Sequence, residues 1–345
     1  MTDFIDTLNG IVWSSALVYL CLGAGLLFSI WTRFVQVRQF PEMLRLLFTG
    51  RESKEGISTF QALAVSLSGR VGTGNIAGVA AAIGFGGPGA VFWMWVVAFL
   101  GASTAYIEST LGQIYKEVDE GQYRGGPAFY FEKALGQKWY GWLFAVLTVF
   151  ACGLLLPGVQ ANAIGNAVDL AVGNGGIVAT PIGEYATAKV VMAVVVTTFL
   201  AVIIFGGVKR IAHFTQVVVP LMAVLYVLSA LTIIAMNLEA VPAVVGLIVS
   251  DAFTPMAGLG AVIGWGVKRG IYSNEAGQGT GPHAASAAEV EHPAQQGLVQ
   301  AFSVYVDTLF VCSATAFMIL ITGAYHVTGV EAAASGGALP ATVDP

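Results

Sequence analysis

The sequence predicts an all-α membrane protein of about eight transmembrane helices, two of them discontinuous. Three observations carry that prediction. Of 345 residues, 56% are hydrophobic and 10% are charged, against about 25% charged in soluble domains. The apolar runs are continuous and long enough to span a bilayer, which takes about 20 residues; a membrane β-barrel would show alternating segments of about ten. Two of the runs are interrupted by glycine-rich polar stretches at what should be bilayer depth.

The spans are read at 11–31, 58–84, 88–115, 139–170, 188–207, 211–236, 253–288 and 296–323. Residues 241–250 read as a short interfacial helix. Basic residues orient the chain. Arg33, Arg38, Arg45, Arg51 and Lys54 follow the first span, Lys116, Arg124, Lys133 and Lys138 the third, and Lys209 and Arg210 the fifth. Eleven of the fifteen basic residues thus fall on alternate loops, predicted to be cytoplasmic. The N-terminus is then outside, and the localisation expected is multi-pass in a cell (inner) membrane. A net charge of −5 gives no reason to expect a nucleic-acid partner. Cys21, Cys152 and Cys312 have no metal-ligand spacing and read as small packing residues.

The second span contains Ser68-Gly69-Arg70-Val71-Gly72-Thr73-Gly74-Asn75. Lipid offers no partner to a free backbone amide, so such a stretch must be buried in protein or line a wet cavity. The seventh span carries Gly270-Ile271-Tyr272-Ser273-Asn274-Glu275-Ala276-Gly277. The second span runs outward, the seventh inward, and the two are five spans apart. An inverted five-plus-five repeat predicts that offset, with the two breaks meeting at the midplane. Half-helix N-termini suit a carboxylate, and unwound carbonyls suit an ammonium or Na⁺. On this reading Gly72, Thr73, Gly74, Gln160, Gly270, Ser273 and Gly277 line a substrate site. Asn75, Asn274 and Asp307 supply oxygens to Na⁺.

Four further charged residues are read as gate or support. Glu108 either acts directly or props a broken helix through hydrogen bonds, the latter being the preferred reading. Glu275 lies in the second break itself. Arg70 and Arg269 either pair with Glu108 or Glu275, or, for Arg70, extend toward the cytoplasmic side. Asp307 completes a cation site or is a packed, hydrogen-bonded aspartate. Gln160 contacts substrate or bonds between helices. Trp265 lies near the second break; Phe92, Trp93 and Trp95 read as interfacial packing. His213, His283, His292 and His326 are scattered, so no metal beyond Na⁺ and no cofactor is expected. The segment 116–138 reads as a solvated loop, with a turn at Arg124-Gly-Gly-Pro-Ala128.

Several of these strings carry a resemblance. Gly72-Thr-Gly-Asn-Ile-Ala-Gly78, Gly86-Gly-Pro-Gly-Ala-Val-Phe-Trp-Met-Trp95, Arg124-Gly-Gly-Pro-Ala128, Arg269-Gly-Ile-Tyr-Ser-Asn-Glu-Ala-Gly277 and Asp307-Thr308 resemble the alanine or glycine:cation symporter family. That family is similar to sodium-coupled amino-acid transporters of the leucine-transporter fold. The resemblance implies carboxylate binding at Gly72, Thr73 and Gly74, and sodium binding at Asn75. It implies symport of a small neutral amino acid with Na⁺, H⁺ being the lesser alternative as coupling ion. It also implies a single transporter domain over 1–323, with a first repeat at 58–236 and the start of a second at 253–323. Three helices of that second repeat are expected beyond the last span, where the sequence shows instead an exposed tail, 324–345. An incomplete bundle, even a non-transporting fragment, is therefore one expectation, and a Gly-lined channel or facilitator is another. No nucleophile–base or metal constellation supports an enzyme.

Overall fold

Ser58 begins the second span with a reciprocal cap. Its hydroxyl accepts from the Gln61 amide at 3.2 Å, while the Gln61 side chain accepts from the Ser58 amide at 2.9 Å. This Ser-x-x-Gln box satisfies two helix-start amides and fixes where the helix enters. The computed structural model describes residues 2–49, 53–173, 176–181, 183–254 and 259–325. In chain order its helices open with α1 (Thr2–Val12), α2 (Ser15–Trp31), α3 (Val35–Arg38), α4 (Phe40–Leu46), α5 (Thr59–Arg70), α6 (Val79–Gly86) and α7 (Ala90–Ile114). A hairpin, β1 (Glu117–Asp119) and β2 (Gln122–Arg124), precedes α8 (Pro127–Leu135), α9 (Lys138–Phe150) and α10 (Leu156–Val172). A second hairpin, β3 (Ile177–Thr180) and β4 (Gly183–Ala186), leads to α11 (Thr187–Ile204), α12 (Gly207–Met236) and α13 (Val241–Asp251). Then follow α14 (Leu259–Asn274), α15 (Gly281–Ser286), α16 (Pro293–Val304) and α17 (Ser313–Thr322).

Among the described residues, six helices are long and apolar enough to cross a membrane: Thr7–Trp31, Ala90–Ile114, Lys138–Val172, Thr187–Ile204, Gly207–Met236 and Pro293–Thr322. These six lie within a few residues of six of the spans read from sequence. The other two spans, the second and seventh, are divided, as α5 with α6 and α14 with α15. The expected tail lies outside the described residues from His326 onward.

Two features modify the all-α expectation. Both hairpins are antiparallel and lie between helices. The first, together with α8, replaces the simple solvated loop expected over 116–138. The helix from Lys138 also changes winding at Ala151–Leu155, a π-helical stretch just before Pro157. Proline has no N–H to offer the preceding turn and its ring crowds the carbonyl four residues back, so the ladder widens there.

Helix α7 is the central element, packed against α2, α14, α15 and α16. Its close approach to α14 depends on two glycines one turn apart. A Cβ at Gly266 would run into the Ala90 carbonyl and the Trp93 side chain; one at Gly270 would run into Val97 and Met94. Small residues at this spacing let membrane helices touch backbone to backbone. Gly270 is thus a helix-contact residue inside α14, not a residue of the break as the sequence reading had it. Replacing Gly270 with leucine overpacks this contact and should cost about 1–3 kcal/mol. The check is a thermal melt in detergent, where the midpoint should fall clearly below wild type while Gly260→Leu, with no atom within 4 Å of its Cβ position, leaves it nearly unchanged.

The β1–β2 hairpin closes over the residues after α15. Lys116 donates to the Ala288 carbonyl at 2.7 Å and lies 3.7 Å over the Tyr123 ring. The Tyr123 hydroxyl donates to Glu289 at 2.9 Å. Burial pushes the Lys116 ammonium down from 10.5 to about 8, although the Glu289 charge opposes the shift. A lysine with a lowered folded-state value penalises folding while charged, so this penalty is present below pH 8 and fades as pH rises from about 8 toward 10.5. Amine labelling read by peptide mass spectrometry should give Lys116 a reactivity midpoint near pH 8. Glu289→Gln removes the charge that raises it, so the midpoint should move lower still.

Candidate functional site

Both broken helices are held open by side chains that take over their backbone hydrogen bonds. At the first break, helix α5 ends at Arg70 and a π-helical turn, Gly74–Gly78, precedes α6. The Gly72 amide donates to Asn75 Oδ1 at 2.7 Å, and the Thr73 amide to Gln160 Oε1 at 3.0 Å. Gln160 presses so closely on Gly72 that a Cβ there would lie 2.7 Å from its Nε2. Gln160 therefore makes the interhelical bond, and makes it to the break itself.

At the second break, α14 ends at Asn274, and Glu275, Gly277 and Gly279 adopt positive φ of 55°, 86° and 82°. Glycine enters that region freely; a glutamate there is uncommon. Asn274 Oδ1 accepts from the Ala276 amide at 3.0 Å. Glu108, on α7, accepts from the Gly277 and Gly279 amides at 3.2 and 3.1 Å. Glu275 accepts from the Thr280 hydroxyl at 2.6 Å. The break runs from 275 to 280, slightly later than the 270–277 stretch read from sequence.

The first break and the last turn of α14 meet at Asp307, which is 0% exposed and lies in a third irregular stretch, the π-helical Tyr305–Cys312. Its Oδ1 accepts from Asn75 Nδ2 at 2.7 Å; its Oδ2 accepts from Ser273 and Thr308 hydroxyls at 2.8 and 2.7 Å. Cys312 Sγ lies 3.3 Å from Asn75 Nδ2 and 3.1 Å from Ser273 Oγ. Side chains from three interrupted helices thus converge on one buried carboxylate. π-Helical turns occur often at functional sites, and two of them, Gly74–Gly78 and Tyr305–Cys312, border this cluster.

A sequence model of the sodium:alanine symporter family matches residues 1–340. The chain belongs to that family. A putative sodium/proton-dependent alanine carrier protein, YrbD, of Bacillus subtilis is 56% identical over 335 residues, covering 96% of this chain and 66% of the relative. The probable sodium/glutamine symporter GlnT of the same organism is 45% identical over 337 residues, covering 96% and 68%. The sodium/alanine symporter AgcS of Methanococcus maripaludis is 40% identical over 333 residues, covering 93% and 71%. The chain spans about two thirds of the length of these curated relatives.

In this member of the symporter family several side chains stand differently from expectation. Asn75 was expected to turn its oxygen to a cation. That oxygen instead accepts from Gly72, and its nitrogen faces Asp307. Flipping the amide would set two donors face to face at Gly72 and two acceptors face to face at Asp307, so the orientation is forced from both ends. Arg70 neither extends to an aqueous surface nor forms an ion pair within 4.0 Å of Glu108 or Glu275. It is 2% exposed and donates to Ser303 Oγ and, at 3.3 Å, to the Gln300 carbonyl. Among the described residues Arg269 likewise has no carboxylate partner, and it lies 5.2 Å over the Trp265 ring, which stacks on Phe85. Thr73 Oγ1 and Asn274 Nδ2 are buried with no hydrogen-bond partner among the described residues. Among the described residues no group of three His, Cys, Asp or Glu side chains is placed to hold a metal ion.

Gln296, Gln300 and Ser303 were missed, as was the contact made by Cys312. Cys312 is a contact of the central cluster, not mere packing. Gln296, Gln300, Ser303 and Asp307 are all 0% exposed and spaced four, three and four apart. That spacing puts them on one helix face, a signal readable in the sequence of an otherwise apolar span.

Removing the Glu108 carboxylate tests its share of the support. Glu108→Ala leaves the buried Gly279 amide unpaired, at about 1–3 kcal/mol, and strips the more exposed Gly277 amide of its partner at a smaller cost. Glu108→Gln keeps one acceptor and should lose less. Thermal melts of the two variants should rank in that order below wild type; an unchanged midpoint in Glu108→Ala would refute the support role.

Proposed function

We propose that this protein carries a small neutral amino acid, alanine or glycine, together with Na⁺ by alternating access. The observation that carries the reading is the convergence of side chains from both divided helices on the buried Asp307. The half-helix ends at the breaks offer both signs of partial charge to a zwitterion, and glycine lets it approach the backbone. The family membership and the relatives' names, which include sodium/alanine symporter, support the same reading.

Na⁺ is a hard cation and takes oxygen ligands. Asp307, Ser273 and Thr308 present four such oxygens within one hydrogen-bonded group, and the substrate carboxylate is a natural addition to their shell. A cation and a carboxylate sharing a shell raise each other's affinity, typically by about 1–3 kcal/mol. Asn75 acts here as the brace that holds the first break against Asp307. Gly72, Thr73 and Gly74 form the substrate side of the first break, with Ser273, Asn274 and Gly277 across from them.

The wider arrangement belongs to the same proposal. Eight spans place the basic loops in the cytoplasm and the N-terminus outside. The two divided spans are the first helices of two inverted repeats, and the bundle that holds them rocks against the remaining helices.

The test is labelled-alanine uptake into proteoliposomes of the full chain. An inward Na⁺ gradient should drive accumulation, and collapsing it with a sodium ionophore should abolish it. Asp307→Asn should raise the Na⁺ concentration for half-maximal uptake at least roughly tenfold, equivalent to about 1.4 kcal/mol. Accumulation that ignores the Na⁺ gradient would refute sodium coupling; dissipative flux without counterflow would favour a facilitator.

A further inference from the structure

The segments that flank the two broken helices on the basic-loop side are paired like strands. The Ile57 amide donates to the Ala287 carbonyl and the Glu289 amide to the Ile57 carbonyl, both at 2.9 Å, forming an isolated parallel bridge between Ile57 and Ala288. Ile57 leads into α5; Ala288 follows α15. The bridge is sealed from solvent, with Ile57 2% and Ala288 0% exposed, in an apolar group completed by Ala62, Ala212 and Ala287.

The end of α7 and the hairpin after it bolt this bridge from the other side. Gln113 donates to the Ala285 and Ala288 carbonyls, the latter at 3.0 Å. Lys116 donates to the same Ala288 carbonyl. Tyr123 holds both partners at once: its amide donates to the Glu55 carbonyl at 3.0 Å and its hydroxyl to Glu289 at 2.9 Å. Between them Gly56 has no room for a side chain, since a Cβ would lie 2.9 Å from the Tyr123 ring and 3.0 Å from the Glu289 nitrogen.

We infer that α5 and α15 open on this side as one unit with the β1–β2 hairpin and the end of α7, rather than by either half-helix swinging out alone. A lone swing of α5 would tear two buried backbone hydrogen bonds and strip Tyr123 of one of its two partners. Movement of the whole clasp keeps every one of these bonds. The inference rests on the transport reading, because alternating access is what requires this side to open; the clasp has its own readout.

Hydrogen exchange of the full chain in lipid nanodiscs reads it directly, through peptides covering 53–60, 117–126 and 285–292. Bonds that belong to one cooperative unit share one opening free energy, so Tyr123→Phe and Glu289→Gln should each speed all three segments by a common factor, on the order of tenfold. Acceleration confined to the segment that carries the substitution would overturn the inference. The second measurement locks the bridge with a disulfide in Ile57→Cys/Ala288→Cys. Alanine uptake should persist after oxidation; a loss that reductant reverses would show that the two segments must part, and would also overturn it. If the wild type shows no uptake, the transport reading fails on its own and the exchange experiment still decides whether the clasp is a unit.

Discussion

Every feature of the central region follows from one constraint: backbone that leaves a helix inside an apolar medium must find its hydrogen-bond partners within the protein. Glu108 meets that demand at the second break by accepting from two amides with one carboxylate. Asn75 and Gln160 meet it at the first. These side chains come from elsewhere in the chain or from the far side of the turn, so neither break can form before the helices around it are packed. The breaks are accordingly defined structures with fixed partners. A site built on them is organised before any ligand arrives, which lowers the ordering cost of binding.

The central carboxylate extends the same logic from backbone to side chains. Asp307 is surrounded by donors from Asn75, Ser273 and Thr308, so its lone pairs are occupied although water is excluded. Two of these three donors are hydroxyls. A hydroxyl that donates to a carboxylate can rotate and offer its own oxygen to a cation. In the transport reading, ion binding is then an exchange within one group of atoms: hydrogen bonds to Asp307 are given up as cation–oxygen contacts form. Asn75 lacks this freedom, because Gly72 holds its oxygen. The rigid donor keeps the first break docked while the mobile donors adapt.

The sequence made the breaks visible because glycines, an amide and charges stand out in apolar runs. It made the spans visible for the same reason of contrast. Where a residue's role depended on a distant partner, the pattern could not show it. The second break starts at Glu275 because that residue takes a left-handed conformation and Glu108 captures the amides that follow; Gly270, equally suggestive in sequence, is used against Val97 and Met94. Asn75 looked like an oxygen ligand until the Gly72 amide fixed which way it points. The β1–β2 hairpin escaped notice because its strands are three residues each, too short for alternation to register. The polar file Gln296, Gln300, Ser303 and Asp307 was legible in its spacing, a helical face that composition alone does not single out.

Arg70 joins the two polar centres that the breaks create. It donates to Ser303, one helical turn before Asp307 on the same face, and its Nη2 lies against Gly281, beside Ser109 and Glu108. Arg70 is thus the buried cation that lies near both Glu108 and the Asp307 face while bonded to neither carboxylate. Burial of an unbalanced charge is costly, and one guanidinium balances one carboxylate. With both carboxylates ionised, the three buried groups sum to a single negative charge. A monovalent cation brings that sum to zero, whereas a divalent one overshoots it. In the transport reading, this charge balance favours a singly charged ion, in addition to the choice of oxygen ligands at Asp307. In the transport reading, a zwitterionic substrate leaves this balance untouched, so its binding does not compete electrostatically with that of the cation.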